Sequence, residues 1–163
     1  MYGGNAMPSA KLKEYLDSEN IKYVSIMHSR AYTAQETAET AHIPGKELAK
    51  TVMVKLDGEL AMAVLPALDR VDFDLLKGVA NAKDASLADE NDFNSMFPES
   101  EAGAMPPFGN IYGMDVYVEE SLSEDREIAF NAGSHSELIK LSYNDFERLV
   151  KPKIARISNK YSS

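Results

Sequence analysis

The stretch that most constrains the fold is Thr51-Val52-Met53-Val54-Lys55-Leu56, then Asp57-Gly58, then Glu59-Leu60-Ala61-Met62-Ala63-Val64-Leu65. Two β-prone runs around an Asp-Gly pair predict an antiparallel hairpin. Gly58 can take the positive φ that tight hairpin turns require. Pro66 ends the second strand. Immediately upstream, His42-Ile43-Pro44-Gly45-Lys46-Glu47-Leu48-Ala49-Lys50 leads from a helix end, through a Pro-Gly break, to a lysine at the threshold of the apolar run. That arrangement can put a cation at the lip of a sheet.

The remaining elements follow from pattern and punctuation. Ser9 is the expected N-cap of a helix with Leu12, Tyr15 and Leu16 on one face, ending near residues 17–20. Residues 21–28 are rich in Ile, Tyr and Val and predict a first strand that delivers His28 at its end. Thr33-Ala34-Gln35-Glu36 fits a capping box, and the helix it opens runs through Ala38 and Ala41 until Pro44-Gly45 stops it. Residues 69–79 predict a helix with Asp72 as cap and Phe73, Leu75, Leu76 and Val79 as its apolar stripe. Residues 86–97 predict another, capped by Ser86, with Asp89 in its first turn. Residues 103–109, Gly-Ala-Met-Pro-Pro-Phe-Gly, cannot be regular structure, because adjacent prolines remove two donors and fix two φ angles. Strands are expected over 114–119, 127–132 and 137–141, with a turn at Gly133-Ser134-His135-Ser136. Ser142 is expected to cap a last helix over 143–150.

This order is not a regular βαβ alternation. It predicts one α/β domain of the α+β type: a mixed, largely antiparallel curved sheet with helices packed outside it. The expected layout is a mobile leader over residues 1–8, the domain over 9–150 and a basic tail over 151–163.

Composition excludes several functions. No cysteine is present, so disulfides, thiolate metal sites and cysteine nucleophiles are ruled out. The three histidines, His28, His42 and His135, form no short metal-binding spacing. No apolar run approaches the roughly 18–20 residues of a membrane helix, and residues 1–6 lack a signal-peptide pattern; the expectation is a cytoplasmic protein without a membrane partner. The net charge of −9 is unevenly spread. All 26 acidic residues lie at or before Glu147, and the chain after it carries Arg148, Lys151, Lys153, Arg156 and Lys160. Such an acidic body repels a long nucleic-acid duplex. A partner touching a small site and the basic tail is compatible with it, as is a plainly solvated terminus.

Three places can carry chemistry. Lys50, next to Thr51, can hold a phosphate, polarise a carbonyl or, if desolvated, act as a base; a solvated surface lysine is the plain alternative. Residues 103–109 offer a stiff wall or a buried structural turn. Asn131-Ala132-Gly133-Ser134-His135 places backbone amides, an amide side chain and an imidazole at one strand-to-turn junction. These groups can steady an oxyanion or fix a sugar hydroxyl, or simply make a β-turn. Ser134, His135 and Ser136 do not make a hydrolase triad: neighbouring turn residues point apart, and no Gly-x-Ser-x-Gly elbow is present. No phosphate-binding glycine fingerprint occurs either.

Taken together, His28 with residues 33–36, Ala49-Lys50-Thr51, Val64-Leu65-Pro66, the Pro-Pro-Phe-Gly core of 103–109 and Phe130-Asn131-Ala132-Gly133-Ser134-His135 resemble the YbaK/prolyl-tRNA-synthetase-associated domain family, the free-standing aminoacyl-tRNA deacylases. The resemblance spans roughly residues 9–150. It implies that family's fold and hydrolysis of the ester joining a wrong amino acid to the tRNA 3′ end, with no metal or other cofactor. Lys50 is implied as the main functional side chain, holding the substrate, and Gly133 and His135 as the element that orients the terminal ribose and the attacked carbonyl. Residues Gly103, Pro106, Pro107, Phe108 and Gly109 are implied to shape the aminoacyl pocket, and His28, Thr51 and Asn131 to bind substrate. Attack would be largely substrate-assisted, by a ribose hydroxyl or the substrate's own side chain. The implied partners are the CCA end and acceptor stem of an aminoacyl-tRNA, and an aminoacyl-tRNA synthetase. Alanine on tRNA-Pro is the expected substrate; the alternative is a catalytically inactive binding module of the same fold, serving a nucleotide or a synthetase.

Overall fold

The computed structural model describes residues 8–30 and 34–160. Residues 1–7 of the expected leader, the capping Thr33 and the last three residues lie outside the described residues. The strands are β1 (Tyr23–Met27), β2 (Leu48–Leu56), β3 (Glu59–Pro66), β4 (Asp69–Val71), β5 (Ala85–Leu87), β6 (Asp115–Glu119), β7 (Glu127–Asn131), β8 (Glu137–Ser142), β9 (Lys153–Ala155) and β10 (Ser158–Lys160). The helices are α1 (Ala10–Ser18), α2 (Ala34–Ala41), α3 (Phe73–Ala80), α4 (Glu90–Phe93) and α5 (Tyr143–Val150).

The hairpin forms as the Asp-Gly pair dictates. Leu56 faces Glu59 across a two-residue turn in which Asp57 has φ 51° and Gly58 φ 86°. Both central residues are left-handed, the type I′ geometry that matches strand twist. The Asp57 carboxylate also accepts the amides of Lys83 and Asp84, each at 2.9 Å, so the turn anchors the chain leading into β5.

Around this hairpin the sheet runs β1-β8-β7-β2-β3-β6-β9. The β1–β8, β8–β7 and β2–β3 pairs are antiparallel, whereas β7–β2, β3–β6 and β6–β9 are parallel. β5 joins β2 antiparallel as well, so the sheet is mixed with four antiparallel pairs against three parallel, as expected. Helices cover both faces. On one, Leu12 and Leu16 of α1 and Tyr143, Phe146 and Val150 of α5 join Met53, Val64, Phe108 and Phe130 in the main core. On the other, Leu76 of α3 packs with Val54 and Leu65, and Ala38 and Ala41 of α2 pack on Ile43, Leu48, Ala129 and Leu138.

Several local expectations are corrected. Ser9 stands before α1, but its hydroxyl does not cap the helix; its backbone is already right-handed and the residue is buried. Helix α2 ends before Pro44-Gly45, at His42 with φ 58°, and Ile43 donates its amide to Ala38 at 3.0 Å. That is a Schellman closure, with Ile43 folding onto Ala38. Residues 69–71 are strand rather than helix because β10 pairs with them; Asp72 then caps α3 as expected, its carboxylate accepting the Leu75 amide at 3.0 Å. Ser86 caps nothing: it lies in β5 opposite Lys55, along an edge of β2 that β7 leaves open. Asp89 is the actual cap, in a reciprocal box with Asp92.

The chain after α5 returns to the sheets rather than leaving them. Beyond α5 the chain adds β9 beside β6 and β10 beside β4. Glu119, only 5% exposed, holds this return: one carboxylate oxygen accepts Ile157 N at 2.8 Å, Ser158 N at 2.9 Å and Ser158 Oγ at 3.0 Å. A buried carboxylate with three donors is satisfied only while that segment is present. Removing residues 151–163 is therefore expected to abolish cooperative thermal unfolding by circular dichroism, rather than merely to trim a tail.

Phe108 gives a second test of the core. It is fully buried, with ring centroids 5.6 Å from Phe130, 5.4 Å from Phe146 and 6.1 Å from Tyr15. Phe108→Ala should lower unfolding free energy by about 3–5 kcal/mol in urea titrations, the usual cost of truncating a buried aromatic.

Candidate functional site

Strands β2 and β7 pair over only two positions, Leu48 opposite Ala129 and Ala49 opposite Phe130. Strand β5 joins β2 again only from Val54. Between these points neither strand pairs with β2 on that side, leaving a gap in the pairing: Lys50 and Thr51 lie on this stretch of β2, and Asn131 with the turn after it follows the last paired position of β7. Side chains alternate across a strand. Leu48 belongs to the cluster beneath α2, so Lys50 lies on that face, while Ala49, Thr51 and Met53 face the main core. Asn131 lies two residues after Ala129 and His28 two after Ile26, both in the α2-side cluster. Lys50, Asn131 and His28 therefore share one face of the sheet, and Thr51 turns to the opposite one.

Lys50 is half-buried. Burial pulls its ammonium below the ordinary lysine range, and the Asp69 carboxylate offsets part of that shift. The Ser158 hydroxyl lies 3.0 Å from Asp69 Oδ2 and equally 3.0 Å from Glu119 Oε1, so its single hydrogen is shared between the two carboxylates. Among the described residues, six buried side-chain polar atoms find no hydrogen-bond partner. Three of them belong to residues expected in the site: His28 Nε2, Thr51 Oγ1 and Asn131 Oδ1. Buried groups are normally satisfied; of these three, His28 Nε2 and Asn131 Oδ1 lie on the Lys50 face and Thr51 Oγ1 on the other.

Two of the three histidines bond a backbone carbonyl through one ring nitrogen. His28 Nδ1 lies 2.7 Å from the Ser29 carbonyl, which can only accept, so Nδ1 carries the hydrogen and Nε2 of the neutral ring is an acceptor. His135 Nε2 lies 2.8 Å from the Ala102 carbonyl and donates to it. The His28 amide donates to Ser136 at 3.0 Å, joining the end of β1 to the His135 turn.

That turn is locked from several sides. Gly133 has φ 98°, and a Cβ there would sit 2.7 Å from the Pro8 carbonyl, so backbone packs where a side chain would be. Pro8 leads into α1, which is seated by Glu137: this carboxylate, 3% exposed, accepts Lys13 Nζ at 2.7 Å and the Ser25 hydroxyl. Four amides of the turn are already used. Ala132 donates to Glu137 O, Gly133 to Ala104 O, His135 to the Glu101 carboxylate and Ser136 to Ser134 Oγ. These four amides are thereby engaged within the protein.

Residues 103–109 divide by role. Gly103 is exposed beside the His135 ring. Pro106, Pro107, Phe108 and Gly109 are buried, and a Cβ on Gly109 would lie 2.7 Å from Val116. This half of the loop is core. Glu101 and Arg30, absent from the sequence-derived set, join the site: Arg30 pairs with Glu101 at 2.8 Å, and Glu101 takes the His135 amide at 2.9 Å. No motif signals either residue, because their partner is decided by folding. Among the described residues, no cluster of His, Asp or Glu is placed to hold a metal, and no helix is long and apolar enough to cross a membrane.

Comparison with known structures agrees with this architecture. The chain superposes on the crystal structure of hypothetical protein APE2540 with a TM-score of 0.82 at 20% identity, covering 91% of this chain and 99% of that one. It superposes on a candidate trans-editing enzyme for prolyl tRNA synthetase with a TM-score of 0.81 at 15% identity, covering 96% and 99%. A candidate signal transduction protein from Marinobacter aquaeolei VT8 aligns with a TM-score of 0.71 at 15% identity over 91% of this chain but 30% of its own. At these identities the likeness is one of fold. No curated protein matches the chain by sequence. The family model for the aminoacyl-tRNA editing domain matches residues 28–149, from the histidine at the end of β1 to the last turn of α5, and the chain belongs to that family.

Proposed function

We propose that this chain is a trans-editing hydrolase that deacylates mischarged aminoacyl-tRNA, with Lys50 holding the substrate at the gap between β2 and β7. The observation that carries this reading is a half-buried lysine sharing its sheet face with two unsatisfied buried acceptors, His28 Nε2 and Asn131 Oδ1. Such a face suits a ligand that brings both negative charge and hydrogen-bond donors. An aminoacylated ribose brings an ester carbonyl that becomes an oxyanion, together with a hydroxyl and an α-amino group.

In the reaction, water oxygen bonds to the ester carbonyl carbon and the carbon–oxygen bond to the ribose breaks. The proton lost by water passes to the ribose oxygen, releasing the amino acid and a free tRNA 3′ end. Negative charge develops on the carbonyl oxygen. With four turn amides already bonded, the Lys50 ammonium is the group suited to meet it, and partial desolvation strengthens that attraction. A ribose hydroxyl activates the water, while Gly133 and His135 set the ribose and carbonyl in place; positioning of this kind supplies several kcal/mol without a protein nucleophile. Gly103 borders the aminoacyl pocket beside His135. Pro106, Pro107, Phe108 and Gly109 act from behind, by stiffening that loop. Thr51 acts from the core side of β2.

Alanine on tRNA-Pro is the proposed substrate, supported by the likeness to a candidate trans-editing enzyme for prolyl tRNA synthetase. The cations Arg148, Lys151, Lys153, Arg156 and Lys160 are exposed on the α5–β10 end and suit the acceptor stem, while only the CCA end enters the acidic body. A tRNA substrate implies a cytoplasmic enzyme, with a synthetase as its source of mischarged tRNA.

Two outcomes test this. In a panel of mischarged tRNAs, wild type should hydrolyse at least one small-residue ester faster than buffer, and Lys50→Ala should lower kcat/KM by about 100-fold or more, as for loss of an oxyanion-stabilising group. No hydrolysis by wild type rejects the enzyme reading in favour of a binding module, and undiminished Lys50→Ala activity rejects the site. The lowered Lys50 pKa sets a pH dependence. Calorimetric binding of a non-hydrolysable 3′-amide analogue needs the ammonium, so affinity should fall as pH rises through a value below that of an ordinary lysine. Lys50→Arg should remove that alkaline loss.

A further inference from the structure

We propose that Glu101 is a positioning residue of this site, holding the His135 turn in register with the end of β1. The inference deepens the deacylase reading and rests on it for its kinetic half. Residues 101–104 make four hydrogen bonds to Gly133 and His135. Glu101 N donates to Gly133 O at 2.8 Å and Gly133 N to Ala104 O at 2.9 Å. His135 N donates to Glu101 Oε1 at 2.9 Å and His135 Nε2 to Ala102 O at 2.8 Å. The segment therefore runs beside the turn and grips the histidine through both backbone and ring.

The Glu101 carboxylate adds a connection that backbone alone cannot make. While Oε1 takes the His135 amide, Oε2 takes Arg30 Nη2 at 2.8 Å. Arg30 follows His28 by two residues, and His28 is itself bonded to Ser136. One carboxylate thus links Arg30, two residues beyond His28, to the histidine of the turn. Arg30 and Glu101 are 48% and 31% exposed, so the ion pair as such adds little to stability. Its effect lies in orientation: a charge-assisted acceptor fixes the direction of the His135 amide, and through it the angle at which the ring meets Ala102. Gln at this position keeps an acceptor for the amide and loses the charge for Arg30; Ala loses both.

The test uses the full chain with Glu101→Ala, Glu101→Gln and Arg30→Ala. It combines single-turnover deacylation of a mischarged tRNA with nitrogen-15 spectra of the His135 amide and imidazole. Glu101→Ala should lower the deacylation rate roughly 10- to 100-fold, the effect of a displaced orienting group, with KM little changed. The His135 amide resonance should shift and the Nε2–H tautomer lose its dominance, while the melting temperature stays near wild type. Glu101→Gln should recover most of the rate, and Arg30→Ala should fall between. A wild-type rate in Glu101→Ala, an unchanged His135 spectrum, or an equal loss in Glu101→Gln overturns the proposal. If wild type hydrolyses no mischarged tRNA, the deacylase reading falls, and the His135 spectra still decide whether Glu101 positions the turn.

Discussion

The structure depends on how briefly β2 and β7 stay together. Two paired positions are enough to carry the sheet from the β1-β8-β7 half to the β2-β3-β6 half. A longer ladder would close the gap beside Lys50; no ladder would split the core that Phe108 and Phe130 share from either side. Phe130 is the last β7 residue in this ladder and packs directly on Phe108. Aromatic packing thus ties the end of β7 to the 103–109 loop at the point where its pairing with β2 stops. Unpaired strand flanks are rarely left open inside a fold without something to satisfy them, and here they border the candidate site.

The electrostatics of the site follow from that opening. Lys50 is partly desolvated, which lowers its pKa, and the Asp69 carboxylate offsets part of that shift. Asp69 shares the Ser158 hydroxyl with Glu119. The C-terminal return is therefore part of the surroundings of Lys50 and not an appendage. A chain with net charge −9 can still serve a polyanion if contact is confined to this cation and to the exposed basic end.

Legibility differed between elements for physical reasons. The Asp57-Gly58 hairpin, the Ser142 cap of α5, the Asp72 cap of α3 and the strands around the Gly133 turn were legible because short-range chemistry decides them. Strands β4, β5, β9 and β10, each three residues long, were not. They are strands only because a partner edge is present, and nothing within Asp69–Val71 or Ala85–Leu87 distinguishes them from helix beginnings. The stop of α2 at His42 was missed because a Pro-Gly pair just beyond is the louder signal, although a histidine can enter the left-handed region. For Pro106 to Gly109 the sequence left a stiff wall and a buried turn both open, since rigid turns and ligand walls use the same residues; all four are buried.

By itself the sequence determined one domain of mixed, mainly antiparallel sheet, the absence of cysteine chemistry, and the set of residues that resemble an editing site. Those follow from periodicity, turn residues and composition, which act within a few positions. Only the tertiary structure decided that Lys50, Asn131 and His28 share a face while Thr51 does not, that four turn amides are occupied, and that Glu101 bridges Arg30 to His135. These facts join positions as far apart as residues 28, 50, 101 and 135, and such distances are closed by packing and strand register, which no local pattern encodes.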